Sequence, residues 1–138
     1  MLVVNIDGAS RGNPGPAGIG VVFIKDNLRI TEYKEFIGKK TNNQAEYAAL
    51  KKALQVASTF DNELMVLSDS QLIVNQRNNM YKVRNKQLKI VFREISNLER
   101  RFKMVIYKHI PREKNKYADL LANQAIDEHN NKYQNNSS

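Results

Sequence analysis

An α/β fold, a five-stranded mixed sheet flanked by helices, is predicted by three observations on this 138-residue sequence. The first three apolar segments are joined by a Gly/Pro-rich stretch and a tight turn, which reads as a three-strand antiparallel meander. From Asn42 onward the apolar spacing switches to the helical period. Short apolar runs then alternate with helical stretches, the pattern of crossovers that leave two further strands parallel. The length is that of one ordinary domain. No repeat or linker divides the chain, so a single domain is expected over residues 1–129, followed by a polar, disordered tail over 130–138.

The elements follow in order. Met1 to Asp7 is the first strand, with Leu2, Val4 and Ile6 on one side and Val3, Asn5 and Asp7 on the other. Gly8 to Gly18 holds four of the six glycines and two of the three prolines and reads as a loop. Ile19 to Lys25 is the second strand, Asp26-Asn27 a turn, and Leu28 to Ile37 a more polar third strand. Asn42 or Asn43 can cap a helix running to about Ser58, with Ala49, Leu50, Ala53, Leu54 and Ala57 inward. Glu63 to Ser68 contains the unbroken run Leu64-Met65-Val66-Leu67, which suggests a parallel strand buried on both faces. Ser70 to Gln76 is a short helix, Tyr81 to Lys86 a basic loop, Asn85 to Arg101 a long helix and Phe102 to Ile110 the fifth strand. Pro111 stops that strand, and Asn115 to Glu128 is the last helix.

Composition removes several classes of function. With no cysteine there is no disulfide partner, thiol nucleophile or zinc–thiolate site. No apolar run reaches the roughly 18–20 residues of a membrane helix, so no membrane partner is expected. No charged-then-apolar leader opens the sequence, and a cytoplasmic monomer is expected. The net charge of +8 is not evenly spread. Between Lys82 and Lys116 fall twelve basic and three acidic residues, whereas the remainder is nearly neutral. A localised basic surface is the footprint of a polyanion, most often nucleic acid.

Four carboxylates stand where packing alone does not put them. Asp7 and Asp69 each follow the carboxyl end of a strand, where sites gather in α/β sheets. Steps of three, four, seven and eleven from Glu46 reach Ala49, Leu50, Ala53 and Ala57, so Glu46 lies on the buried stripe of its helix. A buried, unpaired carboxylate costs several kcal/mol, and no basic residue shares that stripe. Asp119 sits in the first turn of the last helix. Taken singly, Asp69 and Asp119 read equally as helix-start residues and Asp7 as a turn former before Gly8; Glu46 has no comparable structural role. If the four converge, their mutual repulsion raises their pKa values, and a divalent cation resolves it. Oxygen-only ligands suit Mg²⁺ or Mn²⁺. Beside a basic surface, such a cluster suggests two-metal phosphodiester chemistry.

The segments Asp7-Gly-Ala-Ser-Arg-Gly-Asn-Pro-Gly-Pro-Ala-Gly18, Thr41-Asn-Asn-Gln-Ala-Glu-Tyr47, Ser68-Asp-Ser-Gln71 and His109-Ile-Pro-Arg-Glu-Lys-Asn-Lys-Tyr-Ala-Asp-Leu-Leu-Ala-Asn123 resemble those of type 1 ribonuclease H. The likeness spans about residues 1–128. It implies the ribonuclease H-like fold and endonucleolytic hydrolysis of the RNA strand of an RNA–DNA hybrid, leaving 5′-phosphate and 3′-hydroxyl ends. It implies two Mg²⁺ ions, with Mn²⁺ a substitute, held by Asp7, Glu46, Asp69 and Asp119, with Asp7 bridging both. Substrate contacts carried over by motif are Asn13, Asn42, Asn43 and Gln71 with the backbone of Gly8, Ala9 and Ser10. Asn and Gln can both donate to and accept from the 2′-hydroxyls that distinguish RNA.

His109, ten residues before Asp119, has the spacing of a family proton shuttle; a strand-end role stays open because Ile110-Pro111 follows at once. The interval from Asp69 to His109 is too short for the basic protrusion of some members, so this is a compact form. Lys82, Arg84 and Lys86 are candidate phosphate contacts in its place, and Tyr81 a candidate for base stacking in a chain without tryptophan. A non-catalytic hybrid- or RNA-binding module, and a related nuclease for double-stranded RNA or RNA–DNA junctions, are the alternatives.

Overall fold

The computed structural model describes residues 1–78 and 86–136. In chain order its elements are β1 (Leu2–Ser10), β2 (Gly15–Lys25), β3 (Leu28–Lys40), α1 (Asn42–Ala57), β4 (Glu63–Ser68), α2 (Gln71–Arg77), α3 (Lys86–Glu99), β5 (Met104–His109), a 3-10 turn (Arg112–Lys114) and α4 (Lys116–Asn136). One five-stranded sheet is ordered β3-β2-β1-β4-β5. β1, β2 and β3 pair antiparallel, and β4 and β5 add parallel strands to β1. The meander-plus-crossover architecture is therefore the one expected. No helix among the described residues is long and apolar enough to cross a membrane.

The alternation of β1 and β2 divides the interior. Leu2, Val4, Ile6, Ile19, Val21 and Phe23 join Leu50, Leu54, Ile95 and Leu98 in a core between the sheet and α1 with α3. Val22 turns the opposite way and meets Ala118 and Leu121 of α4. Period two in the strands and 3.6 in the helices thus places one helical layer on each face.

Several boundaries differ from expectation for identifiable reasons. The Gly8–Gly18 loop shrinks to residues 11–14, because β1 runs on to Ser10 and β2 starts at Gly15. These glycines mostly permit close approach rather than turning: a Cβ on Gly18 would lie 2.4 Å from the Ala122 carbonyl oxygen. The cap of α1 is Thr41, not Asn42 or Asn43. Its hydroxyl accepts from the Gln44 amide while the Gln44 side chain accepts from the Thr41 amide, a reciprocal capping box. β4 is fully buried on one face only: Leu64, Val66 and Ser68 are buried and Met65 and Leu67 half-buried. The tail expected to be disordered from Asn130 continues α4 as far as Asn136, since neither proline nor glycine interrupts it. Of the expected basic loop, Tyr81, Lys82 and Arg84 lie outside the described residues, and Lys86 opens α3.

Candidate active site

Parallel pairing of β1 with β4 sets Ile6 opposite Ser68, so Asp7, inside β1 rather than at its end because the strand runs on to Ser10, stands beside Asp69, the residue just past β4. Glu46 reaches them from α1 because Gly8 has no side chain. A Cβ there would lie 2.3 Å from the Ala45 carbonyl carbon, closer than any real contact, so only glycine lets this turn of α1 lie on β1. Asp7, Glu46 and Asp69 thereby bring carboxylate oxygens within 4.8 Å of one another. Asp119, from the first turn of α4, lines the same cavity of about 390 Å³ with Gly8, Ala9, Ser10 and Arg112. Asp119 is itself held by Asn123 one turn later, whose Nδ2 donates to its Oδ1 at 3.2 Å.

The electrostatics are those of crowded anions. Asp7 is only 5% exposed. Burial, then the charge of Glu46, the neighbouring Asp119 carboxyl and the charge of Asp69 push the Asp7 carboxyl far above the usual range. Burial raises Glu46 as well, against the opposing effects of hydrogen bonds with Asp7 and the Gly8 amide. Among the described residues, none of the four carboxylates lies within 4.0 Å of a lysine or arginine nitrogen. Oε2 of Glu46 is buried with no hydrogen-bond partner in the described structure. Convergent oxygens, one of them orphaned and opposed only by the charge of Arg112 beyond ion-pair distance, fit a hard divalent cation.

Next to the acidic cavity lies a larger one of about 710 Å³, and Asn42 and Asn43 line both. Asn13, Lys40 and Thr41 line its near side, and Oδ1 of Asn13 accepts the Asn42 amide at 3.1 Å. The amino end of α1 therefore presents amide side chains and a positive dipole end to both cavities.

A family model described as reverse transcriptase-like matches residues 5–125. The chain is 42% identical over 132 residues to the "Bifunctional protein Rv2228c" of Mycobacterium tuberculosis, covering 91% of this chain and 35% of that protein. It is 40% identical to the "Ribonuclease HI" of Halobacterium salinarum, covering 88% of this chain and 62% of the relative. A crystal structure of LC11-RNase H1 in complex with RNA/DNA hybrid superposes with a TM-score of 0.90 at 42% identity, covering 94% of this chain and 99% of that one. The chain belongs to the type 1 ribonuclease H family. It spans about a third of the length of the mycobacterial relative.

Of the positions that the ribonuclease H resemblance implies, the structure brings together Asp7, Glu46, Asp69 and Asp119 with Gly8, Ala9, Ser10, Asn42 and Asn43 around one cavity, and Asn13 joins its neighbour. Gln71 is exposed at the start of α2 and lines neither cavity. His109 is exposed at the end of β5, level with Ser68, and also lines neither. Lys82 and Arg84 lie outside the described residues. Sequence reasoning missed Arg112 and Asn115. Arg112 is one of many basic residues in its stretch, with nothing to single it out. Asn115 precedes a helix, where asparagine ordinarily reads as a cap.

Proposed function

We propose that this chain hydrolyses the RNA strand of RNA–DNA hybrids, as an endonuclease that leaves 5′-phosphate and 3′-hydroxyl ends. The observation that carries the reading is the convergence of Asp7, Glu46 and Asp69 within 4.8 Å, with no ion pair to them among the described residues. Family membership and the likeness to a ribonuclease H1 crystallised with hybrid support the choice of substrate.

In this reading Asp7, Glu46, Asp69 and Asp119 would hold two Mg²⁺ ions, for which Mn²⁺ could substitute. When bound, such ions activate the attacking water and stabilise charge on the leaving oxygen. The protein's own residues orient the substrate. Gly8, Ala9 and Ser10 offer small side chains and backbone to the RNA strand, while Asn13, Asn42, Asn43 and Gln71 exchange hydrogen bonds with sugar hydroxyls and base edges. Lys82, Arg84 and Lys86 engage phosphates. His109, paired with Ser68 at the end of β5 and exposed, would be the proton relay to the departing 3′-oxygen only once substrate covers that edge of the site. The protein acts as a cytoplasmic monomer through its 1–129 domain.

The test is incubation with end-labelled hybrid, duplex RNA and duplex DNA, with Mg²⁺ and Mn²⁺ in parallel and EDTA as control. Hybrid is expected to be cut in its RNA strand only. Retention of hybrid without cleavage would overturn the catalytic reading; faster cutting of duplex RNA would overturn the substrate.

A further inference from the structure

Asn115 lies between the 3-10 turn and α4, is 1% exposed, and sends no side-chain hydrogen bond to the helix it precedes. Its Nδ2 donates to the Ile6 carbonyl at 2.8 Å and to Oδ2 of Asp69 at 3.4 Å. Its Oδ1 accepts from Nδ2 of Asn5 at 3.2 Å. Its backbone carbonyl accepts the Asp119 amide at 3.1 Å. A carboxamide has two N–H donors and one acceptor oxygen, and here all are engaged. One neutral side chain thus touches β1 at the residue before Asp7 and the Asp69 carboxylate itself, while its backbone starts the turn that carries Asp119.

We propose that Asn115, braced by Asn5, is a positioning residue that sets the spacing of Asp7, Asp69 and Asp119 for the divalent cations. The inference rests on the metal-binding part of the function proposed above. The physical need is clear. Without ions the carboxylates repel, and Asp69, just beyond the end of a strand, is free to turn away. A buried N–H donor on its Oδ2 holds it toward the cavity at no cost in charge. Partners of this kind, one bond behind the ligands, typically influence metal affinity or activity about 10–100-fold. Because Asn115 is satisfied by β1 as well as by Asp69, it fixes the distance between two elements rather than the orientation of one carboxylate.

The experiment reads Mn²⁺ binding by calorimetry in the full chain without nucleic acid, beside thermal melting in EDTA and steady-state cleavage of hybrid. Asn115→Ala is expected to melt cooperatively, bind Mn²⁺ about 10–100-fold more weakly and lose kcat by a similar factor, with KM for hybrid little changed. Asn5→Ala is expected to shift both in the same direction by less. A folded Asn115→Ala protein with unaltered Mn²⁺ affinity overturns the proposal. Should Asn115→Ala fail to fold, Asn5→Ala decides: weakened Mn²⁺ binding supports the proposal and unaltered affinity overturns it. A wild-type chain that binds no Mn²⁺ overturns both this inference and the proposed function. One that binds Mn²⁺ but cuts no hybrid overturns the function alone, because the positioning claim is read on the ion.

Discussion

The Tyr47 hydroxyl donates a hydrogen bond to Oε1 of Gln76, and both side chains are buried. Tyr47 follows Glu46 on α1, and Gln76 lies on α2, which opens two residues after Asp69. The bond therefore joins the helices next to two of the carboxylates. Tyr47→Phe leaves the Gln76 carbonyl unpaired, and unfolding free energy should fall by about 1–3 kcal/mol. Urea unfolding with an unchanged m-value is the check.

The acidic cavity makes metal-free stability depend on pH. Burial and neighbouring charge raise the folded-state pKa of Asp7 and Glu46. As pH rises through the ordinary carboxylate range near about 4, the unfolded chain releases protons that the folded chain retains, so stability declines with rising pH. In EDTA the melting temperature should fall between about pH 5 and pH 8. Mg²⁺ should restore it at the upper end. Asp7→Asn should flatten the slope and abolish cleavage; a variant that unfolds while still binding metal would make Asp7 structural instead.

Gly8→Ala would force the β1 and α1 backbones apart. Overpacking of this kind costs about 1–3 kcal/mol, and more where backbone must move. Separation of Asp7 from Glu46 should also weaken Mn²⁺ binding. A variant with normal melting and normal metal affinity would show that α1 does not rest on Gly8.

Arg77 ties α2 to α3 and β5. Its side chain is 4% exposed, pairs with Glu99 and lies 4.1 Å from the Phe92 ring centre, and the Tyr107 hydroxyl donates to the same Glu99 carboxylate at 2.6 Å. Breaking a buried pair from one side costs about 3–5 kcal/mol, and Arg77→Ala should fall near the lower figure because Glu99 is partly exposed. Arg77→Lys should not restore stability, since an ammonium lacks the planar fork. Thermal or urea melts of the two variants decide it.

The basic segment bears on hybrid affinity. If Lys82 and Arg84 touch phosphates, replacing both by alanine should reduce the slope of log affinity against log salt by roughly one for each phosphate no longer neutralised. Filter binding of hybrid across salt concentrations with EDTA present reads this separately from cleavage. An unaltered slope would move the binding surface to another face.

Much of this architecture was legible because it rests on periodicity. The alternation of Leu2, Val4 and Ile6 and the stripe through Ala49, Leu50 and Ala53 are local patterns that tertiary structure preserves. Glu46 was legible as an anomaly, a charge on an apolar stripe. What escaped was everything set by backbone proximity across the chain. Gly8, Gly18 and Gly20 read as loop or strand-start residues, yet each lies against a helix backbone. Asn115 escaped because its partners, Asn5, Ile6 and Asp69, are 46 to 110 positions away. The exposure of His109 and Gln71 depends on strand and helix ends, where a shift of one residue changes what a side chain faces.

The fit of α1 on Gly8 makes the two sides of the cavity unequal. The side formed by Asp7 and Glu46 is backbone against backbone and has no slack for a single methyl group. The opposite side is Asp69 tethered by Asn115 and Asp119 tethered by Asn123, contacts between side chains rather than between backbones. Substitutions at Asn115 and Asn123 can therefore reshape the cavity without separating α1 from β1, whereas any side chain at position 8 cannot.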